Sequence, residues 1–106
     1  MRHLLYAARE AIGFAQGESQ DSPSHDRRLT LALLKSIEIV GEAAARVGDA
    51  TRRRYSQIAW DDIAGMRNRL VHGYFEIDLD LVWATVRNDL PPLVATLARA
   101  LRLAKD

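Results

Sequence analysis

The stretch from Asp26 to Val47 limits the fold more than any other part of the chain. Its apolar residues Leu29, Leu33, Ile37, Val40, Ala44 and Val47 recur at steps of four, four, three, four and three. That spacing places them on one face of an α-helix, and no strand can present them together. Asp26 stands where an N-cap is needed, and Gly48 follows as a stop. Gly41 and Ala43-Ala44-Ala45 keep part of the helix surface small, which lets a second helix or a subunit approach closely. A long helix with one greasy face needs other helices to cover it.

The remaining segments supply them. Residues 1–16 place Leu4, Leu5, Ala8, Ile12 and Ala15 on one helical face, and Gly17 is a plausible terminator. GESQDSPSH, residues 17–25, reads as a loop, with His3 and His25 as solvated surface. Residues 49–58 read as a connector with at most a short helical turn. A third helix is expected from Trp60-Asp61-Asp62, whose acids complement the helix dipole, running to His72 and closed by Gly73. Asp78 or Asp80 can cap a fourth helix carrying Leu81, Val82, Thr85 and Val86, with Trp83 in the core or at an interface. Pro91-Pro92 then open a final helix from Leu90 to about Ala104, with Asp89 near its cap. EIDLDL alone alternates apolar and polar residues, and its three acids argue against a strand. The expectation is an all-α, up-down bundle of four to five helices in one domain spanning 1–106.

Composition excludes several kinds of chemistry. There is no cysteine, so disulfides, zinc thiolates and thiol nucleophiles are ruled out. No apolar run reaches the ~18 residues of a membrane span, and no signal-peptide core follows Arg2, because Arg9 and Glu10 interrupt it. A cytoplasmic location is the default expectation. The net charge is only +1, but 13 of the 15 basic residues are arginine. Arginine's planar fork suits phosphate, although a GC-rich coding sequence gives the same bias.

The chemistry concentrates in Arg67-Asn68-Arg69-Leu70-Val71-His72-Gly73-Tyr74. On a regular helix, Trp60, Ile63, Arg67, Leu70 and Val71 form one stripe, so Arg67 sits among apolar residues. There it needs an ion-pair partner, with Glu42 or Glu38 as candidates, or a groove to line. Glu38 and Glu42 share a face; a solvated pair is the ordinary reading, and a metal or acid–base pair the sharper one. Arg67 and His72 point ~140° apart on an ideal helix, whereas Asn68 and His72 share a face. In the last turn the dipole favours imidazolium and raises the His72 pKa. Arg52-Arg53-Arg54 before Tyr55 can hold a phosphate backbone and stack a base, or be a solvated turn. Arg52, Arg53, Arg54 and Arg69 are the candidate nucleic-acid contacts.

WDDIAGMRNRLVHGYFEIDLDLVWATVRNDLPPL closely resembles the HEPN superfamily, in its HepT-like toxin branch. The mark of that branch is R-x-x-x-x-H-x-Y with a polar residue after the arginine, here Arg67, Asn68, His72 and Tyr74. SIEIVGEAA and MRHLLYAAREAI resemble it too, so the likeness spans nearly the whole chain. The resemblance implies a homodimer whose two motif copies meet in a shared cleft. It also implies a metal-independent endoribonuclease needing no cofactor, with Arg67, Asn68 and His72 as catalytic residues. The implied partner is an MNT-type nucleotidyltransferase antitoxin, as in a type VII-like toxin–antitoxin pair, which transfers AMP to Tyr74. Without the resemblance, Tyr74 reads as a packing aromatic. A non-catalytic dimer that binds RNA or the nucleotidyltransferase is the second expectation, and a purely structural dimer the third.

Overall fold

The computed structural model describes residues 1–72 and 76–105; His72 and residues 103–105 are described by backbone alone. Three long helical rods carry the core: α1 (Arg2–Ala15), α3 (Arg27–Ala45) and a continuous helical path over 79–105. Both α3 and the 79–105 rod pack along α1, and two short helices, α5 (Trp60–Ala64) and α6 (Met66–Leu70), lie on α3. Shorter pieces join them: α2 (Ser22–His25) and α4 (Asp49–Arg54).

The face read from the sequence on α3 is the buried one. Leu33, Ile37, Val40 and Ala44 are wholly buried, and Leu29 nearly so. At about 1.5–3 kcal/mol for each large aliphatic side chain, this face is a main source of cohesion. Asp26 caps α3 as expected, its carboxylate accepting from the Leu29 amide at 3.2 Å. Gly17 takes φ +78°, the left-handed conformation that ends α1 and turns the chain. The 17–25 segment is not all loop: Pro23 sits in the first turn of α2, and its carbonyl accepts from the Thr30 hydroxyl at 2.7 Å. His3 and His25 are both exposed.

At Gly41 two elements approach closely. A Cβ built there would lie 3.0 Å from the Ala64 carbonyl oxygen and 3.4 Å from that of Ile63. The small surface on α3 therefore receives the end of α5.

α3 stops at Ala45, short of Val47, and Gly48 instead begins α4. Arg52 explains where α3 ends. Its guanidinium donates to the Ala44 carbonyl at 2.9 Å and the Val47 carbonyl at 3.1 Å, and it faces Asp61 at 3.3 Å. It also lies over the Trp60 ring, 5.9 Å from the centroid. One side chain thus satisfies the open end of α3 and pins the start of α5.

The last two expected helices are one. α7 (Leu79–Ala84), capped by Asp78 on the Leu81 amide at 3.0 Å, runs through a π-helical turn, Thr85–Asp89, into α8 (Leu90–Lys105). The Leu90 amide reaches back five residues to the Thr85 carbonyl. Pro91 and Pro92 lack the donors that an α-ladder would use, and their rings crowd the carbonyls one turn back. The wider turn makes room for them without breaking the rod. Val82, Trp83, Val86, Leu90, Leu93 and Leu97 bury one continuous stripe, which places Trp83 in the core.

The fold is mostly helical, as expected, with one departure. β1 (Val71–His72) pairs antiparallel with β2 (Glu76–Ile77), in the register Val71 with Ile77 and His72 with Glu76. The acids of EIDLD do not prevent this ladder, because Glu76 is exposed and only Ile77 turns partly inward. The expected count of four to five helices is also off, since the described residues form three long rods and several short helices.

Candidate active site

The expected helix from Trp60 to His72 is broken in two. α5 ends at Gly65, and α6 ends at Leu70, where the chain turns extended at Val71. Met66 and Leu70 point inward, at 5% and 1% exposure, while Arg67, Asn68 and Arg69 all face solvent. The apolar stripe expected to hold Arg67 therefore passes it by, and its guanidinium is not buried.

No ion pair joins Arg67 to Glu42 or Glu38 among the described residues. Glu38 lies 3.5 Å from Lys35 on its own helix, and Glu42 is exposed on the groove between α1 and α3. The ~140° separation of Arg67 and His72 assumed an unbroken helix. With His72 on β1, that angle and the helix-end argument for its pKa both lapse. The ring of His72 lies outside the described residues, as do Gly73 and Tyr74, so neither the closing role of Gly73 nor the placement of the Tyr74 hydroxyl is described.

The backbone of the motif is anchored at both ends. Upstream, Gly65 donates to the Asp61 carbonyl at 3.0 Å and accepts from the Asn68 amide at 3.1 Å. Arg69 donates to the Asp62 carbonyl at 3.0 Å, tying α6 back to α5. Downstream, the Asp78 amide donates to the Leu70 carbonyl at 2.8 Å, and the same residue caps α7. Arg67 and Asn68 thus leave a short, fixed helix, two residues before a ladder that starts the strand bearing His72. Their side chains make no hydrogen bond to a described residue, and neither lines the α1/α3 groove, the α1/α8 groove or the groove beside Arg69. Among the described residues, both side chains are exposed.

The other candidate RNA contacts divide. Arg52 is committed to the end of α3 and to Asp61, so it is a structural clamp. Arg53 and Arg54 are exposed, with Arg54 over the Tyr55 ring at 5.4 Å. Tyr55 is buried, its hydroxyl turned to the Ala100 carbonyl at 3.5 Å, and does not face solvent for stacking. Arg69 is exposed, but one arm is held by Asp62.

Sequence reading missed one basic cluster. Arg2 and Arg9 of α1 and Arg99 and Arg102 of α8 line a groove together with Tyr6. Their steps of seven and three were a usable signal, hidden because the two pairs lie at opposite ends of the sequence. No helix among the described residues is long and apolar enough to cross a membrane.

A helical domain that sets an arginine and an asparagine on an open surface beside a histidine-bearing strand is suited to handling phosphate esters. Family comparison makes this specific: residues 4–100 match the model of the HepT-like ribonucleases. The chain belongs to that family. A candidate RNase of Caldanaerobacter subterraneus subsp. tengcongensis is 33% identical over 93 residues, covering 88% of this chain and 83% of the relative. A candidate HepT ribonuclease of Thermococcus cleftensis is 35% identical over 68 residues, 64% of this chain and 62% of the relative. A candidate RNase of Methanocaldococcus jannaschii is 29% identical over 90 residues, 85% of this chain and 83% of the relative. No solved structure matches the chain.

Proposed function

We propose that this member of the HepT-like ribonucleases is a metal-independent endoribonuclease toxin whose site is completed by a second copy of the chain. The observation that carries the reading is the exposure of Arg67 and Asn68, in a chain holding the whole motif Arg67, Asn68, His72, Tyr74. Two exposed polar groups fit half of a shared cleft.

The chemistry needs only these residue types. The ribose 2′-oxygen attacks the adjacent phosphorus, and the bond to the 5′-oxygen breaks. The products are a 2′,3′-cyclic phosphate and a 5′-hydroxyl. A base takes the 2′ proton and an acid returns one to the leaving oxygen. His72 and its copy across the two-fold axis share those roles. Arg67 holds the phosphate as negative charge builds on it. Asn68 orients the phosphate or the imidazole. Tyr74 is the acceptor of AMP from a nucleotidyltransferase antitoxin, and the added nucleotide silences the toxin.

The test is purified protein with RNA in EDTA. Cleavage to cyclic-phosphate ends, lost in Arg67→Ala and His72→Ala, supports the mechanism. Cleavage that disappears on chelation, or survives His72→Ala, overturns it. With partner and ATP present, a mass increment of AMP on the wild type and none on Tyr74→Phe supports the off-switch.

A further inference from the structure

The groove between α1 and α8 encloses about 480 Å³ and is lined by Arg2, Arg9, Arg99 and Arg102, with Tyr6 among them. Arg2, Tyr6 and Arg9 fall at steps of four and three, so they share one face of α1. Arg99 and Arg102 sit three apart on α8. Between them Ala95 and Ala98 leave the floor low and open. Among the described residues no acid lines the groove, although the whole chain is nearly neutral at +1. Arginines scattered by codon bias would not gather four to a groove and leave the acids elsewhere. Tyr6 is 63% exposed, the most exposed of the chain's large hydrophobics among the described residues. An aromatic held open among guanidiniums is poor packing but a good platform for a base.

We propose that the α1/α8 groove is a channel for single-stranded RNA, apart from the cleavage motif. Its arginines hold successive phosphates and Tyr6 stacks a base. The inference rests on the reading of the chain as a ribonuclease and adds where the substrate strand is gripped. The groove is too open and too uniformly cationic to select a sequence. It grips the backbone and lets the strand be presented to the Arg67 surface elsewhere on the chain. The opposite side of α8 borders Arg69: Asp89, Pro92, Leu93 and Thr96 line a second groove with it. One rod thus carries both the gripping face and a wall next to the motif helix.

Counterion release gives the expected size. Four phosphate contacts on a single strand contribute about −2.8 to the slope of log K against log salt, and removing two takes back about 1.4. The experiment measures binding of a fluorescent 2′-O-methyl oligonucleotide, which attack by the 2′-oxygen cannot cut, across a salt series in EDTA. Arg9→Gln/Arg99→Gln should bind about 25-fold more weakly at about 0.1 M salt, with the slope shallower by about 1.4. Arg9→Lys/Arg99→Lys should restore most of the slope, and Tyr6→Ala should weaken binding roughly tenfold with the slope unchanged. All these side chains are exposed, so the fold should survive. Were the double Gln variant to unfold by circular dichroism, each single variant would report half the slope change.

Unaltered affinity and slope in the Gln variants would overturn the proposal. So would a loss confined to the nucleotidyltransferase partner with RNA binding intact, which would make the groove a protein contact. Wild-type protein that binds the oligonucleotide through these arginines yet cleaves no RNA would sink the enzymatic reading and leave the groove standing. Wild-type protein that cleaves RNA with no dependence on the four arginines would do the reverse.

Discussion

Adding one methyl group at Gly41 tests how the site is held. A Cβ there meets the Ala64 carbonyl oxygen at 3.0 Å and that of Ile63 at 3.4 Å. Carbon and carbonyl oxygen sit comfortably at about 3.3–3.6 Å, so the end of α5 must retreat by roughly 0.3–0.6 Å. Alanine in a helix interior gains about 1 kcal/mol over glycine, and forcing an extra carbon into packed space costs about 1–3 kcal/mol. The clash is with backbone, which cannot swing aside like a side chain, so the cost should win. Gly41→Ala should lose about 1 kcal/mol overall. Gly13 is the control. It also lies in a helix, but a Cβ there meets nothing within 4 Å. Gly13→Ala should gain about 0.5 kcal/mol, reduced by its place in the last turn of α1. Urea titrations of the three proteins, compared at constant slope, give both signs in one series. Because Ala64 precedes the break that aims Arg67, Gly41→Ala should also lower RNA cleavage by more than its stability loss explains. A Gly41→Ala protein as stable as Gly13→Ala would refute the close approach.

Arg52→Ala should cost about 2 kcal/mol, since the Ala44 carbonyl at the end of α3 and the Val47 carbonyl just beyond it lose the guanidinium as a donor, and Arg52→Lys should recover little because a single ammonium cannot fork; thermal melts of both variants check this. Asp78→Ala should cost about 1 kcal/mol by removing the cap of α7, and should speed amide exchange in α7 before it affects α1. Tyr55→Phe should change stability by less than about 0.5 kcal/mol, because its 3.5 Å contact is barely a hydrogen bond, whereas Tyr55→Ala should lose about 3 kcal/mol of buried ring; chemical denaturation separates the two.

The long amphipathic helices were legible because each buries one stripe at a regular step. That is why α1 and α3, with its Asp26 cap, appear close to where periodicity puts them. The 79–105 rod shows where that reasoning breaks down. Its apolar stripe runs at helical spacing from Val82 to Ala100, but Pro91-Pro92 look like a boundary, since propensity rules treat proline as a breaker. A single wide turn removes the conflict, and no side-chain pattern announces it. At the candidate site, the sequence names the motif residues but not their geometry. Ile63, Met66 and Leu70 take the buried positions at steps of three and four, and Arg67 beside them is left exposed. The anchoring of Arg52 was hidden for a different reason: two of its partners are the backbone carbonyls of Ala44 and Val47, which have no letter in the sequence.

The two-residue ladder that carries His72 has a kinetic consequence. Paired strands this short are marginal on their own. Opening Val71 from Ile77 should therefore need far less free energy than unfolding the rods beneath it. The address of His72 is then set by a local equilibrium, not by global stability. Any molecule that engages both strands draws that equilibrium toward the paired form by mass action. In hydrogen exchange, the amides of this ladder should be the first in the chain to slow when such a molecule is added, while those of α3 stay as they were.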